Sequence, residues 1–110
     1  MSSVWNFTFG TSQERIACSK ATLLTIPYFN TLFGGAFAET LQEGAINHID
    51  RDAELFKILY EFARSNVLNI LDPEKLSSLL IEADFYSLST FILAVKSRCI
   101  KNVFSYIKWT

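Results

Sequence analysis

A chain of 110 residues is one domain's length and leaves no room for two lobes around a cofactor cleft. Half of it is apolar and 19% is charged, with four Gly and two Pro, which excludes disorder and collagen-like repeats. The net charge of −1 excludes a uniformly basic nucleic-acid binder, yet the charge is unevenly placed. Residues 1–94 carry six Lys or Arg against all eleven acids, whereas residues 95–110 carry Lys96, Arg98, Lys101 and Lys108 with no acid.

The apolar fraction exceeds what a monomer of this size is expected to bury, and the surplus points to self-association. Trp5, Phe7 and Phe9 alternate with Asn6 and Thr8, the period of a strand with one buried face. Gly10 to Gln13 reads as a loop and Arg15–Cys18 as a return strand, so a hairpin opens the domain. Ser19 is suited to cap a short helix over Lys20–Thr25. Pro27 fits the first position of another helix carrying Phe29, Leu32 and Phe33 inward, stopped at Gly34-Gly35. Ala36–Gly44 follows as a surface segment containing Phe37.

Ala45–Ile49 reads as a short strand, and Asp52 as the N-cap of a helix with Leu55, Phe56, Leu59, Phe62 and Ala63 on its buried face. Lys57, Glu61 and Arg64 are expected on the outer side of that helix. Asn66 ends it, and Val67–Ile70 reads as a brief strand. Asp72-Pro73-Glu74 starts a helix with a capping carboxylate, a proline at the first position and an acid near the positive dipole end. Leu76, Leu79, Leu80 and Ala83 supply its buried stripe, and a last helical pattern runs from Leu88 to Ile107. The expected class is α+β, a small sheet with a helical majority, in a single domain over 1–110 that ends in a basic amphipathic segment, 95–110.

Catalytic chemistry finds little to work with. His48 is the sole histidine, with Asp50 two residues on, and no nucleophile elbow, phosphate-cradling glycine loop or paired-histidine zinc motif is present. Cys18 and Cys99 make no disulfide framework and share no ligand spacing with His48. No enzyme, cofactor or metal is therefore expected. No signal peptide or membrane-spanning run is apparent, and a reducing cytoplasmic setting is the expectation.

The order of elements, together with three stretches of sequence, resembles the BTB/POZ domain. Pro27-Tyr28-Phe29-Asn30-Thr31-Leu32-Phe33-Gly34-Gly35-Ala36-Phe37-Ala38-Glu39 is similar to the family's helix, Gly-containing turn and acidic loop. Ile49-Asp50-Arg51-Asp52, with Leu55-Phe56 and Ile58-Leu59, is similar to the potassium-channel tetramerisation-domain branch. Glu82-Ala83-Asp84-Phe85-Tyr86-Ser87-Leu88 is similar to the turn between the family's last paired helices. That branch usually reads Asn-Val-Gly-Gly where this chain has Thr8-Phe9-Gly10-Thr11. The helix that precedes the first strand in the dimeric kelch-associated branch is not seen, which tilts the expectation away from a strand-exchanged dimer and toward ring-like assembly or a weaker oligomer.

The resemblance implies a non-enzymatic module that self-associates and links a partner to a cullin scaffold of a ubiquitin ligase. The alternative is a purely structural oligomerisation domain, like those that assemble channel subunits. In BTB adaptors a hydrophobic-x-Glu motif after the glycine turn contacts the cullin, which marks Phe37 and Glu39 as candidate partner residues. The plainer alternative is that Phe37 packs on the core and Glu39 is solvated. Asp50, Arg51 and Asp52 are candidates for a polar subunit interface, or else a helix cap flanked by solvated charges. The basic tail, with Ile100, Val103, Phe104, Ile107 and Trp109, is read as a terminal helix packed on the domain rather than a membrane-binding segment.

Overall fold

Trp5, Phe7 and Phe9 are buried on one side of the first strand, as their alternation requires. The computed structural model describes residues 4–34, 45–68 and 72–107, with side chains as far as Arg98. In chain order it comprises β1 (Val4–Phe9), β2 (Ile16–Ser19), α1 (Lys20–Leu23), α2 (Pro27–Gly34), β3 (Ile46–Ile49), α3 (Ala53–Ser65), α4 (Pro73–Phe85) and α5 (Ser89–Ile107). The described strands form one sheet in the order β2-β1-β3. β1 pairs antiparallel with β2, Trp5 opposite Cys18, and parallel with β3, Phe9 opposite Ile49. The architecture is α+β, a small mixed sheet with a helical majority.

The helices begin where local chemistry places them. Asp52 accepts a hydrogen bond from the Leu55 amide at 2.8 Å and caps α3. Asp72 caps α4 through the Glu74 amide at 3.0 Å, with Pro73 at the first helical position. Asn66 ends α3 in the left-handed conformation, its amide returning to the Phe62 carbonyl at 2.7 Å.

Three local expectations are corrected. Ser19 occupies the cap position of α1 but its hydroxyl caps nothing, while its amide donates to the Tyr60 hydroxyl at 2.8 Å. α1 closes at Leu23 instead of Thr25, because the amides of Thr25 and Ile26 turn back three residues to Thr22 and Leu23, and Pro27 disfavours a helical Ile26. Val67 and Leu68 lie outside any strand, and the rest of that expected strand falls outside the described residues.

The core is dominated by aromatic rings. Phe9 stacks on Phe56 with centroids 4.2 Å apart, which joins the sheet to α3. Phe29 of α2 stacks on Tyr86 beyond α4, and Phe62 of α3 meets Phe91 of α5 edge to face at 5.3 Å. Ala53, Phe56, Leu59 and Phe62 are the buried residues of α3, with Leu55 and Ala63 packed at its margin. Leu79 and Ala83 play the same part in α4, and Phe91 and Val95 in α5. The distal half of α5 keeps helical backbone to Ile107.

Two predictions follow from this packing. Phe62→Ala removes a buried ring and its contact with Phe91, and should destabilise the domain by about 3–5 kcal/mol, read as a lowered urea midpoint. The second concerns Cys18, whose burial pushes its thiol up from 9.0 to about 12. The unfolded thiol ionises near pH 9 while the folded one stays protonated, so this contribution to stability is complete below pH 9 and declines above it. The stability gap between the parent and Cys18→Ala should therefore narrow by about 1 kcal/mol from pH 8 to pH 10.

Candidate interaction surface

Ile49, Asp50, Arg51 and Asp52 carry the chain from the end of β3 to the start of α3, and both ends of this junction are fixed. Ile49 is held by its register with Phe9 and by the Gly10 amide, which donates to its carbonyl at 2.9 Å. Asp52 is held by its cap on α3. Gly10 has φ +54°, and a Cβ there would lie 3.0 Å from the Arg51 carbonyl oxygen, so both conformation and space call for glycine.

The three charges of the junction do different things. Asp50 is exposed. Asp52 spends its carboxylate on the helix. Arg51 turns inward: its Nε donates to Glu82 Oε1 at 3.1 Å and its Nη2 to Glu82 Oε2, a bidentate pair. The guanidinium also stacks over the Phe85 ring, 4.2 Å from its centroid. Arg51 is therefore half-buried and held by α4, which corrects the alternative in which it is a solvated surface charge.

Sequence reasoning does not single out Glu82 as a site residue, although the signal is present. It lies three residues after buried Leu79 and four before buried Tyr86, on the inner face of α4, where a carboxylate requires a partner. Beside it, burial and, to a lesser degree, the Glu82 carboxylate push the Tyr86 phenol above its ordinary range.

A notch of about 640 Å³ opens over the junction, between the Gly10–Ser12 turn and Asp50–Glu54. A second depression of about 420 Å³ runs along Asn47–Arg51 and is closed by Tyr28, Leu32 and Phe85. His48 is exposed beside it and shares a hydrogen bond of 2.9 Å with the Thr8 hydroxyl on the neighbouring strand. Among the described residues His48 makes no hydrogen bond to Asp50. Among the described residues no group of three His, Cys, Asp or Glu is placed to hold a metal ion, and no helix is long and apolar enough to cross a membrane.

Phe37 and Glu39 lie outside the described residues. The helix that leads to them, α2, ends at Gly34, which is exposed and where an added Cβ would meet no atom within 4 Å. Of the basic segment, Lys96 and Arg98 are exposed on α5.

Comparison with known proteins agrees with the arrangement of helices and sheet. The BTB/POZ domain model matches residues 8–96. SH3KBP1-binding protein 1 of Rattus norvegicus and its counterpart in Mus musculus are each 34% identical over 89 residues, 77% of this chain. The match spans only 12% of the length of those curated relatives. The chain belongs to the BTB/POZ domain family, a family of protein-interaction modules and not of typical enzymes.

The Arg51–Glu82 pair yields a prediction. Arg51→Ala leaves the Glu82 carboxylate buried without its cation, and should destabilise the fold by about 2–3 kcal/mol. Asp50→Ala, at an exposed position, should stay within about 0.5 kcal/mol of the parent. Denaturation midpoints of the two variants check the contrast.

Proposed function

We propose that this domain is a self-associating adaptor that links a partner to a cullin scaffold of a ubiquitin ligase, acting in the cytoplasm, close to the potassium-channel tetramerisation-domain branch of its family. The observation that carries the reading is that Phe37-Ala38-Glu39 follows Gly34-Gly35 in the sequence, within the stretch that matches the BTB/POZ domain. Phe37 supplies an apolar anchor that gains most when fully desolvated, and Glu39 orients the partner through a charge-assisted hydrogen bond. Self-association is supported by the high apolar fraction of the chain and by family membership. Asp50, Arg51 and Asp52 are assigned to the subunit interface, with Asp50 as its outward charge and Arg51 as the residue that sets the shape of the junction.

The test is mass-resolved size exclusion of the domain with and without a cullin N-terminal fragment. The expected result is an oligomer that takes up the fragment. Retained assembly without cullin affinity selects the purely structural oligomerisation domain instead. Phe37→Ala should weaken cullin binding about thirtyfold while leaving the melting temperature and the oligomer intact, and Glu39→Ala should act in the same direction by less. A loss of several kcal/mol of stability in Phe37→Ala would place the ring in the core and refute the site.

A further inference from the structure

β3 lies at one edge of the sheet, and among the described residues it pairs with β1 alone. At the opposite edge the Ser19 amide is taken by the Tyr60 hydroxyl. β3 carries neither a lysine nor a proline, the residues that commonly guard an open edge. Its flank is open as well, because the depression bounded by Tyr28, Leu32 and Phe85 runs along Asn47–Arg51.

The ladder with β1 fixes which main-chain groups look outward. The Ile49 carbonyl turns toward β1, where it accepts from the Gly10 amide at 2.9 Å. In a planar trans peptide the next amide points the other way, so the Asp50 amide faces the open edge. Neighbouring residues of a strand face opposite sides, and His48, next to Ile49, therefore turns its carbonyl outward too.

The side chains of the same two residues repeat this pattern. His48 and Asp50 are both exposed, on either side of buried Ile49. Where the His48 Nδ1 accepts from the Thr8 hydroxyl, the neutral ring carries its proton on Nε2, and that donor is left to another partner. Among the described residues Asp50 belongs to no ion pair. The edge thus offers a main-chain acceptor and a side-chain donor at His48, and a main-chain donor and a side-chain acceptor at Asp50. An antiparallel copy of the edge satisfies all four.

We infer that the open edge of β3 pairs antiparallel with the same edge of a second copy of this chain, about a two-fold axis at Ile49 that sets each His48 opposite the Asp50 of the other copy. The inference rests on the self-association proposed above and gives the outward charge of that interface its partner. The contact is isologous and closes at two copies. A dimer, and not a ring, is the assembly it makes.

The experiment is sedimentation equilibrium of the full chain at neutral pH over a range of concentrations, with amide hydrogen exchange followed by NMR on the same samples. The parent should form a dimer, and exchange at the Asp50 amide should slow as association proceeds. Asp50→Lys and His48→Glu should each associate at least about tenfold more weakly than the parent. The double variant carrying both substitutions should regain the dimer, because acid and base then stand opposite each other again. Circular dichroism melting of each variant confirms that it folds. A parent that closes at more than two copies, single variants that associate like the parent, or a double variant that stays dissociated would overturn the pairing while leaving self-association standing. An Asp50 amide already slow to exchange in the dilute monomer would show that another part of the chain covers the edge, and would overturn the pairing as well. A parent that is monomeric at every concentration would overturn both readings.

Discussion

The stack of Phe9 on Phe56 is the contact on which the geometry of the surface depends. One ring ends β1 and the other stands in the first turn of α3, so the contact fixes the sheet and the helix relative to each other. The chain between Ile49 and Asp52 must then span two immobile points. Gly10 narrows the choice further, because its close approach to the Arg51 carbonyl leaves no space for a Cβ. With its backbone held in this way, Arg51 is brought within reach of Glu82 on α4, and Phe85 provides the flat face on which its guanidinium lies. A packing constraint inside the core thus becomes an electrostatic arrangement at the surface.

Features governed by a few neighbouring residues are legible in the sequence. The alternation of Trp5, Phe7 and Phe9, the Asp52 and Asp72 caps, the Asn66 stop and the buried stripe of α3 all follow from period and local hydrogen bonding. Features that depend on distant partners are not. Lys57 has the spacing of an outer position on α3, yet it is only half-exposed because Glu14, 43 residues earlier, draws its ammonium to the β1–β2 loop. Ser19 has the chemistry of a cap, but Tyr60 meets its amide from α3 and its hydroxyl is not used for capping. Val67 and Leu68 have the composition of a strand and, among the described residues, no strand beside them to pair with.

The candidate surface shows the same division. The Asp50-Arg51-Asp52 triplet stands out in the sequence as a charged motif, but nothing in its spelling says that the middle residue faces inward. That outcome needs Glu82, 31 residues away and on the inner face of α4. The position of Glu82 in the helical period of α4 is a readable warning, since a carboxylate between Leu79 and Tyr86 on a buried face implies a cation somewhere.

What the Arg51–Glu82 pair contributes is direction more than stability. Withdrawing a carboxylate and part of a guanidinium from water costs much of what their attraction returns, and a well-packed apolar pair could serve the core as well. An apolar pair would not sort the charges of the junction. With Arg51 committed to Glu82 and Asp52 to the amide of α3, Asp50 is the one charge of the three that faces solvent without a partner of its own among the described residues. Its carboxylate therefore stands on a backbone held at both ends, and ordering it against a partner costs less entropy than ordering the tip of a mobile loop. A short junction between strand and helix, restrained by a ring stack on one side and a buried ion pair on the other, gives the proposed subunit interface a charge in a fixed position.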